Sequence, residues 1–174
     1  EWCAKLGIPI VIGTTGLSEA DLKRIDLASK AIPICMASNF SIGVNLCYRL
    51  VEIAVDALKN DDVDIEVCEA HHNKKLDAPS GTALSLGHVI ANARGQDLDE
   101  VAVYDRKSQF VKRIPQSIGF TSIRGGDIVG DHKVLFAGEG ELVEITHRAS
   151  SRMAFARGAL PVSYTHLRAH ETFA

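Results

Sequence analysis

The chain has 174 residues, of which 46% are hydrophobic and 24% are charged, and its formal net charge at pH 7 is -3. This composition supports a packed core and excludes a disordered chain, while the length suits one ordinary domain or parts of two. The small negative charge argues against nucleic-acid binding, and no apolar run is long enough to span a bilayer.

The first forty residues predict a β-α-β unit. Residues 8–12 form a continuous apolar run, which is typical of a buried parallel strand. Ser18 is a good N-cap for a helix at 19–29, and the next strand is predicted at 31–37. This is the late half of a doubly wound nucleotide-binding domain. The chain contains no G-x-G-x-x-G loop, so we expect the pyrophosphate and adenosine sites to lie outside it.

The region that follows predicts a second, mixed domain. A helix at 44–59, a strand at 63–70 and a helix at 81–94 come first. Further strands are predicted at 101–104, 118–124, 128–137 and 141–147, with a hairpin turn at 138–140. The fold class is therefore α/β. The end of a Rossmann-like doubly wound domain precedes an α+β domain with a mixed, largely antiparallel sheet and helices on one face.

The most informative segment is EAHHNKKLDAPSGTA, residues 69–83, which joins a predicted strand to a predicted helix. It places two histidines and two lysines beside a loop of small residues. Pro79 fixes the backbone ahead of the helix, and Ser80 is a good N-cap. Backbone N–H groups around Gly81 and Thr82 then carry a partial positive charge, which predicts an anion site. The pattern suits an enzyme that holds a small carboxylate and moves a proton at neutral pH.

Each part of this segment also has a simpler interpretation. Adjacent histidines on a strand point to opposite faces, which argues against a hydrolase metal site made of His71, His72 and Glu69. Glu69 and His71 share a face and can form a structural pair. The two lysines can belong to a solvated turn, and the Ser-Gly-Thr start can be an ordinary helix cap.

Taken in order, these residues resemble the signature of the dihydrodipicolinate (4-hydroxy-tetrahydrodipicolinate) reductase family of lysine and diaminopimelate biosynthesis. Other segments that resemble the family are residues 11–16, 37–45, 118–120, 124–132 and 144–152. The resemblance extends from the first residue to about Leu160. It implies hydride transfer from NADH or NADPH to a cyclic imine dicarboxylate. The residues that would read the cofactor ribose are expected upstream, so the choice between NADH and NADPH stays open.

The resemblance implies that two side chains handle protons. His71 is the expected general acid, and Lys75 is the expected second donor. The H-H-x-x-K spacing selects Lys75 and leaves Lys74 without a catalytic role.

The resemblance also implies the binding residues. His72 would contact one substrate carboxylate, and Gly81 and Thr82 would hold the other at the start of the helix. Thr15 would lie between the nicotinamide and the substrate. The residues expected to contact the nicotinamide half of the cofactor are Gly13, Thr14, Thr15, Ala37, Ser38, Asn39 and Phe40. No metal site is expected.

The expected domain organisation follows the same resemblance. Residues 1–41 would end the dinucleotide-binding domain, 42–151 would form the substrate-binding and oligomerisation domain, and 152–160 would begin a helix that returns to the nucleotide domain. Pro161 interrupts the helical pattern, and residues 161–174 are expected to be a tail foreign to the family.

The full-length protein is expected to be a cytoplasmic homotetramer that binds a small dicarboxylate and neither nucleic acid nor membrane. Two alternatives stay open. One is a non-catalytic oligomerising fragment that still binds dicarboxylates. The other is a related dehydrogenase that acts on a different amino or imino acid.

Overall fold

The structure, a computed structural model, describes residues 1–60, 62–107 and 111–165. It divides into two compact units, Glu1–Ile42 with the chain from Arg152 onward, and Gly43–Ser151. Among the described helices, none is long and apolar enough to cross a membrane. All four cysteines are free and partly buried.

The regular elements of the described chain are as follows. The helices are α1 (Trp2–Leu6), α2 (Glu19–Ser29), α3 (Ile42–Ala57), α4 (Gly81–Ala93), α5 (Leu98–Val101) and α6 (Met153–Thr165). The strands are β1 (Ile10–Ile12), β2 (Ile34–Met36), β3 (Asp64–His71), β4 (Ala102–Val103), β5 (Ile118–Arg124), β6 (Gly130–Ala137) and β7 (Leu142–Ala149).

The first unit contains the predicted β-α-β arrangement. β1 and β2 are parallel neighbours, and α2 connects them. The helix begins with a capping box, in which Ser18 Oγ accepts a hydrogen bond from Asp21 N at 3.2 Å and the Asp21 carboxylate accepts one from Ser18 N. Both strands begin later than predicted, directly after Pro9 and Pro33. Proline cannot donate a backbone hydrogen bond to a strand ladder, which accounts for the shorter strands.

The second unit is a five-stranded sheet in the order β4-β5-β3-β6-β7. β3 is parallel to β5 and antiparallel to β6, while β4 is parallel to β5 and β7 is antiparallel to β6. The sheet is therefore mixed, and the antiparallel pairs join more residues than the parallel ones. Gly140, with φ 82°, allows the tight hairpin between β6 and β7.

The core of the second unit lies on one face of this sheet. Residues of β3 alternate between buried and partly exposed, as expected for a strand with one covered face. The core side chains from α3, α4 and the sheet include Val51, Val55, Ile65, Val67, Leu86, Ile90, Ile118, Phe120, Val134 and Phe136. The opposite face is partly open, since Ile123 of β5 is 54% exposed.

Several elements differ from the sequence-based expectation. The expected end of the last helix before Pro161 is wrong, because α6 continues through Pro161 to Thr165. Pro161 lacks the N–H that would donate to the carbonyl of Arg157 four residues earlier, but the loss of this bond does not end the helix. The short helices α1 and α5 were not predicted. Residues 166–174 of the expected foreign tail lie outside the described residues.

Candidate active site

The EAHHNKKLDAPSGTA segment occupies the end of β3, the following loop and the start of α4. Strand alternation turns Glu69 and His71 toward the core, where they are 2% and 8% exposed. His72 follows the strand and is partly buried. The two adjacent histidines therefore differ in burial, and the opposite orientation of their side chains stays a prediction.

A buried carboxylate organises the site. Glu69 Oε2 lies 2.5 Å from His71 Nδ1. Arg124 forms a bidentate salt bridge with the same carboxylate. Its Nη1 lies 2.8 Å from Oε2, and its Nη2 lies 2.7 Å from Oε1. The backbone N–H of Ser80 donates to Oε1 at 3.2 Å. Burial would raise the pKa of Glu69, but the hydrogen bonds from His71 and Arg124 outweigh it and lower this pKa to about 2.

Arg124 reaches this position because β5 is the parallel neighbour of β3. The pairing places Arg124 opposite His71 across the two strands. Its Nη2 also donates to the backbone carbonyl of Asp77 at 2.7 Å. The backbone N–H of Gly125 donates to the carbonyl of His71 at 2.9 Å. The end of β5 thereby holds both His71 and the loop that follows it.

A second buried imidazole comes from the other neighbouring strand. His132 of β6 pairs with Glu69 in the antiparallel register, and its ring meets that of His71 edge-on with centroids 5.0 Å apart. Its Nε2 lies 3.0 Å from Ser80 Oγ. Burial, together with the nearby His71, lowers the pKa of His132 to about 4. His132 is therefore neutral at pH 7, and Ser80 can donate its hydroxyl proton to Nε2.

The start of α4 has the cap that the sequence predicts. Ser80 Oγ accepts a hydrogen bond from Ala83 N at 3.2 Å. Gly81 and Thr82 form the beginning of the first helical turn, where the helix dipole attracts anions. This geometry is suited to a carboxylate.

The two lysines of the loop have different surroundings. Lys75 is 16% exposed at its side chain, and its Nζ lies 2.8 Å from Asp77 Oδ1. Burial opposes the ionisation of Asp77, but the hydrogen bond and charge of Lys75 outweigh it and lower the pKa of Asp77. Lys74 is exposed. Lys75 is therefore held in an ion pair within the loop, whereas Lys74 is exposed to solvent.

The residues expected to contact the cofactor lie together in the first unit. Residues 13–15 follow β1 and residues 37–40 follow β2, so both segments emerge at the carboxyl edge of the parallel pair. Ala37 N donates to the carbonyl of Ile12 at 3.1 Å. A Cβ atom on Gly13 would lie 3.5 Å from the ring of Phe40, so the two segments are in contact.

Sequence reasoning assigned no role to Arg124, Gly130 or His132. A Cβ atom on Gly130 would lie 3.1 Å from His71 Nε2, so this glycine belongs to the same site. All three belong to a segment noted for its family resemblance. The sequence signal for Arg124 and His132 was a polar residue at a strand position that points to the core. Their partners could not be predicted, because they depend on the strand register.

Comparison with known proteins identifies the family. The profiles "Dihydrodipicolinate reductase, N-terminus" and "Dihydrodipicolinate reductase, C-terminus" match residues 1–40 and 43–172. The 4-hydroxy-tetrahydrodipicolinate reductase of Thiobacillus denitrificans is 56% identical over 160 residues, which cover 92% of this chain and 60% of that protein. The second matched range passes Leu160, where we expected the resemblance to end.

A solved structure gives the same relationship. Dipicolinate-bound dihydrodipicolinate reductase from Paenisporosarcina sp. TG-14 superposes with a TM-score of 0.58 at 27% identity, covering 95% of this chain and 62% of that one. The chain thus spans about three fifths of the length of these relatives, 60% and 62% respectively. The two profile matches cover most of its residues, and the chain belongs to the dihydrodipicolinate reductase family.

Proposed function

We propose that the whole protein converts 4-hydroxy-tetrahydrodipicolinate to tetrahydrodipicolinate with NADH or NADPH, that the 4-hydroxyl group leaves as water before the ring is reduced, and that this chain carries the proton donors and the substrate site. The observation that carries this proposal is the buried His71–Glu69 pair beside the capped start of α4. Family membership supports the reaction. The dipicolinate bound by the Paenisporosarcina relative supports a dicarboxylate as the ligand.

His71 is the general acid of the proposed reaction. When bound, NADH or NADPH supplies a hydride to the substrate ring. The ring then needs a proton at the position that has become electron-rich, and an imidazolium is suited to deliver it near neutral pH. Lys75 is the second donor and keeps a positive charge close to the dianionic substrate.

The substrate carboxylates are held by groups that favour anions. His72 contacts one carboxylate. The N–H groups at the start of α4, from Gly81 and Thr82, hold the other, because the helix dipole and the N–H groups act together there. Both terminal nitrogens of Arg124 already donate to Glu69, and Nη2 also donates to the carbonyl of Asp77, so Arg124 is not assigned to the substrate.

The nicotinamide half of the cofactor is assigned to the first unit. The contact residues are Gly13, Thr14, Thr15, Ala37, Ser38, Asn39 and Phe40, with Thr15 also facing the substrate. Their support is the position of both segments at the carboxyl edge of parallel strands, where nucleotide cofactors bind in doubly wound sheets.

We also propose that the whole protein is a cytoplasmic homotetramer assembled through the partly open face of the five-stranded sheet. Exposed apolar side chains on this face, such as Ile123, support the assignment. Light scattering of the full-length protein is expected to give four times the chain mass. A monomer at micromolar concentration would contradict the proposal.

The test of the reaction uses full-length protein and freshly generated substrate, with cofactor absorbance as the readout. We expect His71→Gln to lower kcat by about 10²–10⁴-fold with little change in KM, as for loss of a general acid. Lys75→Ala should lower kcat and also raise KM, because it removes a charge near a dianion. Lys74→Ala is the matched control, since it removes the same charge from an exposed side chain one residue away.

Three results would contradict this assignment. If folded full-length protein does not turn over the substrate, the proposed reaction is wrong. Near-normal kcat in His71→Gln would make His71 a structural strand residue. If Lys74→Ala lowers kcat as much as Lys75→Ala does, the effect of Lys75 comes from its charge in general and not from a role as proton donor.

A further inference from the structure

We infer that Glu69 is a positioning residue, which together with Arg124 keeps a proton on Nδ1 of His71 and leaves Nε2 as the nitrogen that gives its proton to the substrate. The inference rests on the proposed function and assigns roles to two residues that do not touch the substrate.

The first step concerns the Nδ1 side of the ring. Glu69 is 2% exposed, and its carboxylate lies 2.5 Å from His71 Nδ1. An ionised carboxylate can only accept hydrogen bonds, so Nδ1 must carry the hydrogen. The bidentate salt bridge with Arg124 keeps the carboxylate ionised and limits its basicity. The proton therefore stays on the imidazole and does not move to Glu69.

The second step concerns the Nε2 side. A Cβ atom on Gly130 would lie 3.1 Å from Nε2, so β6 passes close to this nitrogen with a residue that has no side chain. Within the described residues, the imidazole ring of His71 makes its hydrogen bond through Nδ1 alone. Since the hydrogen bond at one ring nitrogen decides which nitrogen is free to react, Nε2 is the reactive nitrogen.

The proton transfer then needs no rearrangement within the ring. In the imidazolium form both nitrogens carry hydrogen. The Nε2–H bond breaks, its electron pair stays on Nε2, and the proton goes to the position of the substrate made electron-rich by the hydride from NADH or NADPH. The neutral ring that remains keeps its Nδ1–H on Glu69.

The charged and titratable groups around the ring come from three strands. Glu69 lies on the same strand, Arg124 comes from β5, and His132 comes from β6. Asp131 of β6 and His147 of β7 act in turn on His132. Because His132 is neutral at pH 7, the Glu69 carboxylate is the charged group that holds the Nδ1 side of the ring.

The test compares Glu69→Gln with Glu66→Gln in the full-length enzyme. Both variants remove one carboxylate charge from β3, but Glu66 is on the opposite face and pairs with Arg106 and Arg113. We expect Glu69→Gln to lower kcat by about 10–100-fold, as for loss of an orienting partner, with KM nearly unchanged. Glu66→Gln should keep kcat and KM close to the wild-type values.

A second measurement uses the wild-type enzyme, so it does not depend on whether the Glu69→Gln variant folds. Nitrogen-15 spectra of the full-length wild-type enzyme report which nitrogen of His71 carries the proton when the ring is neutral. We expect protonated Nδ1 and unprotonated Nε2. The opposite tautomer would overturn the inference, as would a near-normal kcat in a folded Glu69→Gln enzyme. If the wild-type enzyme does not reduce the substrate, the proposed function is wrong. The tautomer measurement would still show whether Glu69 keeps the proton on Nδ1 of His71.

Discussion

His132 shows how a single buried side chain connects pH to stability. The pKa of this imidazole is lowered from 6.5 to about 4, chiefly because burial disfavours the charged form. Between these values the unfolded chain binds a proton that the folded chain does not, so stability rises with pH across this window. The difference corresponds to about 3 kcal/mol when the pH has fallen to 4. Glu69 adds a further loss only below pH 4.5, because its pKa is lowered to about 2.

We therefore predict that this chain is less stable at pH 5 than at pH 7 by about 2 kcal/mol, as measured by urea unfolding. His132→Gln should reduce this difference, because glutamine can still bond to Ser80 but does not titrate. Some dependence should remain from His147, whose pKa is also lowered by burial. His88→Gln is the control on an exposed histidine of α4 and should leave the difference intact. An identical pH dependence in His132→Gln would contradict the assignment.

Some residues of the candidate site could be predicted from the sequence, and others could not. The positions of His71, Lys75 and Ser80 relative to strand and helix follow from local pattern, because alternation and capping are local properties. The partners Arg124 and His132 do not follow from it. They lie 55 and 52 residues from their contacts with Glu69 and Ser80, so only the strand pairing brings them there.

At the scale of elements, the start of α4 depends on one side chain that makes two hydrogen bonds. Ser80 Oγ accepts from Ala83 N and lies against His132 Nε2, so Ser80→Ala removes a cap and a buried hydrogen bond together. We predict a loss of about 1–2 kcal/mol in the free energy of unfolding. The control is Ser85→Ala on the same helix, whose hydroxyl donates to the carbonyl of Gly81 four residues earlier and does not cap the helix. Chemical denaturation checks both variants, and equal effects would show that the cap contributes little.

The elements themselves were predictable to different degrees. Long elements with strong periodicity, such as α3, β5 and β6, appear close to the predicted positions. α1 and α5 have five and four residues, too few for a helical period to be visible in sequence. The strand order β4-β5-β3-β6-β7 was also beyond prediction, because pairing within a mixed sheet depends on contacts between distant segments.

At the scale of the whole molecule, the missing G-x-G-x-x-G loop predicts weak cofactor binding by this chain. The pyrophosphate of a dinucleotide usually binds at such a loop, whereas we assign the segments at 13–15 and 37–40 only to the nicotinamide half. Calorimetric titration of the 174-residue chain with NADH and NADPH should therefore show little heat of binding. The full-length protein is the matched control and should bind. Tight, stoichiometric binding by this chain would contradict the prediction.

The central position of β3 has a consequence for the order of events during synthesis. Glu69 and His71 leave the ribosome well before Arg124 and His132, the groups that neutralise the carboxylate and pack against the ring. Until β5 and β6 have been made and paired, burying Glu69 would leave an uncompensated charge in the core, which is strongly unfavourable. The contact between Glu69 and His71 is therefore expected to form late, after Ala137 at the end of β6 has been synthesised, because the sheet pairs strands that are far apart in sequence.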